Sequence, residues 1–216
     1  MVTTQLSVTS NDKLFFLRVF VTNIPYVNQI PRGCRHRTEH FYALDMLSAV
    51  LREFYGISHV QLSRDEQGKP QLIHPFLHMN LAHSQGFAVC TISNQPVGID
   101  IEPPRHFHAR MLKYVCTTDE QKEILASDDE DTTFSRIWTL KEAYGKWHGG
   151  GIRLPLAEIP FCLSEAKIHF LHPDADNFDF FQGIMTFDGK PYIISVCTSK
   201  MQKPCIFHDF TMFYTS

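Results

Sequence analysis

The spacing of apolar residues changes repeatedly along the chain, and each change marks an element. Residues 14–21 are dense in aromatic and β-branched side chains and predict a strand. Over residues 41–55, Leu44, Leu47, Leu51 and Phe54/Tyr55 recur every three or four positions, which predicts a helix stopped by Gly56. Gly68-Lys69-Pro70 marks a turn. Residues 87–92 and 97–102 read as two strands, and Ser93-Asn94-Gln95-Pro96 between them predicts a hairpin. Pro103-Pro104 closes this half of the chain. Thr117 stands three residues before Glu120, the spacing of a capping box that opens a helix through Leu125. The acidic run 127–131 reads as a solvated loop. A second helix is predicted from about Thr132 to Trp147, ended by Gly149-Gly150-Gly151. Strands follow at 167–171, 178–187 and 192–198, with Asp188-Gly189 as a hairpin turn. Gly-Lys-Pro occurs at 68–70 and again at 189–191, each time before a strand rich in Val, Ile, Cys and Thr. That repeat hints at two halves of similar build joined near residue 104.

Composition narrows the class. With 44% hydrophobic and 20% charged residues among 216, the chain reads as an ordinary globular protein of one large domain or two small ones, not as a disordered segment or a coiled coil. Twenty Lys and Arg against 23 Asp and Glu leave a net charge of −3, which argues against a protein whose whole surface tracks nucleic acid and leaves room for a local basic patch; no nucleic-acid partner is expected. No apolar stretch reaches the roughly 18 residues of a membrane-spanning helix, so no membrane partner is expected. Residues 1–13 lack the basic-then-apolar order of a secretory signal. Cys34, Cys90, Cys116, Cys162, Cys197 and Cys205 are scattered and form no C-x-x-C, as expected of reduced thiols in a cytoplasmic protein.

Two segments carry chemistry. In residues 97–102, Val97, Ile99 and Ile101 point to one face of a strand, and Gly98, Asp100 and Glu102 to the other. Two carboxylates on one face lie roughly 7 Å apart by the strand rise, a spacing that Mg²⁺ could bridge, with Gly98 leaving room for a ligand near the backbone. A solvent-facing edge strand would show the same pattern. In residues 138–147, Leu140, Ala143, Tyr144 and Trp147 share one helix face, and Trp138, Glu142 and Lys146 the other. Glu142 and Lys146 are either a surface i,i+4 pair or a reactive carboxylate with a cation one turn away. Gly145 in mid-helix costs about 1 kcal/mol relative to Ala, which is odd for a purely structural segment.

Taken together, V-G-I-D-I-E at 97–102 and W-T-L-K-E-A-Y-G-K at 138–146 closely resemble the signature of the 4′-phosphopantetheinyl transferases, with every fixed position met. Gly68-Lys69-Pro70, Asn80-Leu81-Ala82-His83-Ser84, Glu120, and Gly149-Gly150-Gly151-Ile152 before Leu154-Pro155-Leu156 extend the resemblance over about residues 30–200. It is to the larger, single-chain, surfactin-synthetase-activating type. The resemblance implies an α+β protein of two similar α/β subdomains related by pseudo-twofold symmetry, residues 1–104 and 105–216, each an antiparallel sheet with packed helices. It also implies transfer of the 4′-phosphopantetheine arm of coenzyme A to a serine of an acyl or peptidyl carrier protein. Adenosine 3′,5′-bisphosphate would leave, and Mg²⁺, or Mn²⁺ in its place, would assist.

Carried over by motif position, Asp100, Glu102 and Glu142 would hold the metal at the pyrophosphate. Glu142 would also accept the serine proton, directly or through a bound water. Lys146 would stabilise or protonate the departing phosphate, and Lys141 would lie close to the phosphates. Lys69, His83 and Ser84 are expected at the nucleotide. Arg32, Arg35 and Arg37, read as a basic segment preceding a helix, are expected to clamp the 3′-phosphate. The family usually has Ser-His-Ser where this chain has Ala82-His83-Ser84, and the glycine that commonly follows is displaced to Gly86. Both departures point to weaker coenzyme A binding, and neither touches the metal set. Glu120 is accounted for by its capping box. Residues 103–114 hold Arg105, Arg110 and Lys113, no acid, and apolar Phe107 and Met111, a pattern suited to docking an acidic carrier. A monomer with its site in the cleft between the halves is expected. Two rivals stand beside this reading. His36-Arg37-Thr38-Glu39-His40 satisfies H-x-x-E-H, the pattern of a zinc hydrolase. A relative that binds carrier or coenzyme A but has lost catalysis is the other.

Overall fold

The computed structural model describes residues 16–25, 27–150, 154–164, 167–200 and 206–212. The chain runs β1 (Phe16–Asn23), α1 (Arg32–Tyr55), β2 (Leu62–Arg64), β3 (Pro70–Leu72), β4 (His78–Ser84), β5 (Phe87–Ser93) and β6 (Val97–Glu102). It continues through α2 (Ala109–Val115), α3 (Thr118–Leu125), α4 (Glu130–His148), β7 (Phe161–Cys162), β8 (His169–Phe170), β9 (Phe178–Phe187), β10 (Lys190–Ser199) and β11 (Ile206–Met212). Leu14 and Phe15 of the first predicted strand, Gly151 and Ile152, and Cys205 lie outside the described residues. Among those described, no helix is long and apolar enough to cross a membrane.

Among the described residues two larger sheets form, in the orders β11-β1-β5-β4 and β6-β10-β9, beside the two-stranded pairs β2-β3 and β7-β8. Strand alternation sorts their side chains into four layers. Phe20, Ala88, Cys90, Ile92 and Met79 turn toward α1, where Ala43, Met46, Leu47, Val50 and Leu51 receive them. Leu17, Val19, Val21 and Val89 turn the other way and meet Val97, Ile99, Ile101, Ile194 and Val196 of the second sheet. That sheet's far face carries α4, whose Phe134, Ile137, Leu140 and Ala143 sit in a third core with α2 and α3. The result is an α+β protein of two sheet-and-helix halves. The exchange of end strands joins them: β6 leaves the first half to pair antiparallel with β10, and β11 returns to pair parallel with β1.

This exchange overturns the hairpin expected across residues 93–96. β5 has β1 on one edge and β4 on the other, so no edge remains for β6. The Ser93–Pro96 segment is a corner between sheets, and a side-chain bond from the Ile99 N–H to Asn80 Oδ1 ties β6 back to β4. α1 also begins nine residues earlier than apolar spacing predicts. Its first two turns, Arg32 to Arg37, are mostly exposed and show no apolar stripe to read. α4 begins at Glu130 because Asp129 accepts the Thr132 N–H, which makes the acidic run a helix cap. Asp188 and Gly189 turn the β9–β10 hairpin, both at positive φ. Thr117 and Glu120 form the expected capping box.

Gly98 decides how near α4 comes to β6. A Cβ built there would overlap the Ala143 carbonyl oxygen and the Trp147 backbone nitrogen. The space that Gly98 was expected to leave for a ligand is therefore filled by helix backbone, and no flexible side chain can yield. Gly98→Ala is expected to lower stability by about 3 kcal/mol or more, read as the midpoint of urea unfolding. An unchanged midpoint would refute this account of the helix contact.

Candidate active site

Because Gly98, Asp100 and Glu102 share the face that meets α4, the strand's two acids are pressed against Glu142 and Lys146 of the helix. Asp100 is buried, and one of its carboxylate oxygens accepts from Lys146 Nζ at 2.7 Å. Its other oxygen has no partner. Glu102 Oε2 accepts from Ser84 Oγ at 2.7 Å. Glu142 is buried too, and its Oε1 has no partner. Burial, then the neighbouring Asp100, push the Glu142 pKa up to about 7 against the pull of Lys146. Burial raises Asp100 and Glu102 as well. Three acids thus repel one another in a poorly solvated place, with two buried oxygens unsatisfied.

Beside this cluster opens a cleft of about 530 Å³, walled by α1, the β2–β3 turn, β4 and the end of α4. Its lining includes Arg64, Lys69, Lys146, His36, His40 and His83, with Gly149 and Gly150 at the helix end. Lys69 Nζ donates to the carbonyls of Val97 and Trp147, each at 3.2 Å, and burial holds its pKa below the ordinary value. Burial, His83, His36 and Arg64 likewise hold His40 low. Arg64, Lys69 and Lys146 with three imidazoles on one cleft fit a polyanion.

Residues 96–197, which include Asp100, Glu102, Lys141, Glu142 and Lys146, match the model of the 4′-phosphopantetheinyl transferase superfamily. The chain is 30% identical over 174 residues to the 4′-phosphopantetheinyl transferase Sfp of Bacillus subtilis (strain 168), covering 77% of this chain and 75% of that protein. It is 26% identical over the same length to the 4′-phosphopantetheinyl transferase ffp of Bacillus subtilis, with the same coverage. This chain belongs to the 4′-phosphopantetheinyl transferase superfamily. Among solved structures, the holo-[acyl-carrier-protein] synthase of Thermotoga maritima aligns with a TM-score of 0.39 and 19% identity, over 49% of this chain and 64% of that one.

In this transferase the motif residues do not all reach the cleft. Lys141, expected near the phosphates, is fully buried elsewhere. Its ammonium donates to Glu120 Oε2 at 2.6 Å and to the carbonyls of Val115 and Leu156, each at 2.8 Å. It faces away from Glu142 because adjacent helix residues point about 100° apart. Glu120 does more than cap its helix, since it also accepts the Phe161 N–H at 2.8 Å. Arg32, Arg35 and Arg37 are not among the cleft-lining residues. They lie within α1, and the Arg35 guanidinium is bound to the carbonyls of Ile30 and Asn28. The guanidinium on the cleft is Arg64, which sequence reading missed because nothing local distinguishes it. Its NH1 donates to the Gly68 carbonyl, and Asp65 ties the same turn by accepting the Gln67 and Lys69 N–H groups. His83 and Lys69 do line the cleft, whereas the Ser84 hydroxyl turns away to Glu102. The H-x-x-E-H pattern forms no zinc site. Glu39 is committed to the Gly86 N–H and to His83, and among the described residues no three His, Cys, Asp or Glu groups are poised to hold a metal.

The transferase does have the donors for a hard cation that takes few protein ligands. The unpartnered oxygens of Asp100 and Glu142, with Glu102 adjoining, are carboxylate donors, and Mg²⁺ is commonly held by one or two carboxylates plus substrate phosphates and water. With EDTA present, the repulsion predicts a pH-dependent gain from Glu142→Gln. Below about pH 4.5 Glu142 is protonated whether folded or not, so it costs nothing. As pH rises toward about 7 only the unfolded chain ionises freely, and stability falls through that window. Glu142→Gln should therefore stabilise the protein by up to about 3 kcal/mol at pH 8 and far less at pH 5, measured by urea unfolding. An equal gain at both would contradict the stored repulsion.

Proposed function

We propose that this transferase moves the 4′-phosphopantetheine arm of coenzyme A to a serine of an acyl or peptidyl carrier protein. The nucleotide phosphates would lie in the basic cleft and a divalent cation at Asp100 and Glu142, with Glu102 adjoining. The observation that carries this reading is the position of Lys146: it lines the cleft and is hydrogen-bonded to Asp100, so anion site and acid cluster meet at one side chain. The serine oxygen forms a bond to the pantetheine-bearing phosphorus as the bond from that phosphorus to the bridging oxygen breaks. A bound divalent cation would supply charge neutralisation at the pyrophosphate. Glu142 is suited to take the serine proton, directly or through a bound water, with the carboxylate oxygen that the cation leaves free. Lys146 neutralises the departing phosphate of adenosine 3′,5′-bisphosphate, while Lys69 and His83 hold the nucleotide. One chain provides the acids and the cleft cations, which supports a monomeric enzyme.

Intact-protein mass spectrometry of apo carrier proteins incubated with enzyme, coenzyme A and Mg²⁺ tests the reaction. Each modified carrier should gain one phosphopantetheine, and the gain should vanish with EDTA or Glu142→Gln. Gain that persists in both controls would remove the acid cluster from the reaction.

The carrier is proposed to dock on the segment from Arg105 through α2. Phe107 stacks on Phe134 and Met111 packs on the same core, so both anchor the segment and are not free apolar contacts. Arg105 lies over the Trp138 ring. Arg110, Lys113 and Tyr114 remain exposed to meet an acidic helical partner. Arg110→Glu with Lys113→Glu should raise KM for the carrier about tenfold while leaving KM for coenzyme A within about twofold. Equal rises in both would place the carrier elsewhere.

A further inference from the structure

Behind the imidazole wall of the cleft lies an acid that anion binding does not explain. Glu39 is 7% exposed, in the third turn of α1. Its Oε1 accepts the Gly86 N–H at 2.9 Å, and its Oε2 lies 3.3 Å from His83 Nδ1. A carboxylate has no hydrogen to give, so the hydrogen in the second contact sits on Nδ1. Burial alone would raise the Glu39 pKa. The bonds from His83 and Gly86 and the nearby imidazoles outweigh it, and the group stays ionised below the usual range.

The turn it grips is stiff. Gln85 and Gly86 both have positive φ, and a Cβ on Gly86 would lie 2.8 Å from Val27 Cγ1. The His83 ring is also flanked edge-on by His36 at 4.8 Å and His40 at 5.9 Å between centroids. A ring held on three sides has one productive orientation, and one nitrogen left for a ligand.

Resting on the reading of His83 as a nucleotide contact, we propose that Glu39 is a positioning residue. It pins the His83 ring to the Gln85-Gly86 turn with Nδ1 inward, so that Nε2 is presented to a phosphate in the cleft. An acid at the edge of an anion site is then tolerated because its charge is spent on an imidazole and a backbone N–H. Without that carboxylate the ring would be free to turn.

Two measurements test this. In the unsubstituted protein, long-range ¹H–¹⁵N NMR of the His83 ring should show a hydrogen on Nδ1. A bare Nδ1 overturns the proposal, and this arm holds even if a substituted protein fails to fold. In kinetics, Glu39→Gln should raise KM for coenzyme A about tenfold with kcat within about threefold. On a His83→Ala background the same substitution should change KM by less than about twofold, because the two residues act as one unit. Full additivity overturns the proposal, as does an unchanged KM in Glu39→Gln when His83→Ala itself raises KM. Should His83→Ala leave KM for coenzyme A unchanged, the nucleotide role of His83 fails and the proposal falls with it.

Discussion

The closeness of α4 to β6 underlies the acid cluster of the active site. Only a residue without a side chain lets the helix backbone rest on the strand at Gly98, and that contact sets the depth at which the next inward residues, Asp100 and Glu102, meet the helix. At a usual helix-to-sheet distance the acids would have room for water. Here Asp100 keeps one bond, to Lys146, and Glu142 has an oxygen with none. Folding therefore works against electrostatics at this point, and the hydrophobic cores on both sides of the second sheet supply the opposing force.

That cost makes chemical sense beside the cleft. The acids and the cations are not mixed but adjacent, with Lys146 at the boundary. A pyrophosphate substrate and a divalent cation are complementary to such a divided field, each relieving one side of it. The β4–β5 hairpin ties the two regions mechanically. His83 faces the cleft, the neighbouring Ser84 holds Glu102, and Asn80 on the same strand holds the β6 backbone. Helix α1 grips this hairpin through Glu39, so a residue of the first half sets the geometry of a site completed by the second.

Lys141 and Glu142 show how little a shared motif says about shared duty. They are neighbours in one short signature, yet Glu142 has an unpartnered oxygen at the acid cluster while Lys141 is fully satisfied on another side of α4. The Lys141–Glu120 pair binds α4 to α3 and, through the Phe161 N–H and the Leu156 carbonyl, to the segment beyond. Its contribution is to orient α4, because a buried ammonium with three good acceptors has little freedom to shift.

Much of this was legible without coordinates. The alternation Val97, Ile99, Ile101 against Gly98, Asp100, Glu102 set which residues share a face, and the spacing of Thr117 and Glu120 set a helix start. These are local matters, decided by backbone geometry over a few residues. What the acids would face was not local. β6 pairs with β10, across ninety-odd residues of chain, because both edges of β5 were already taken. The start of α1, the burial of Lys141, the cleft position of Arg64 and the grip of Glu39 on His83 followed from the same long-range packing. Periodicity tells a side chain which way to point. Only the summed burial of distant apolar surfaces decides what waits there.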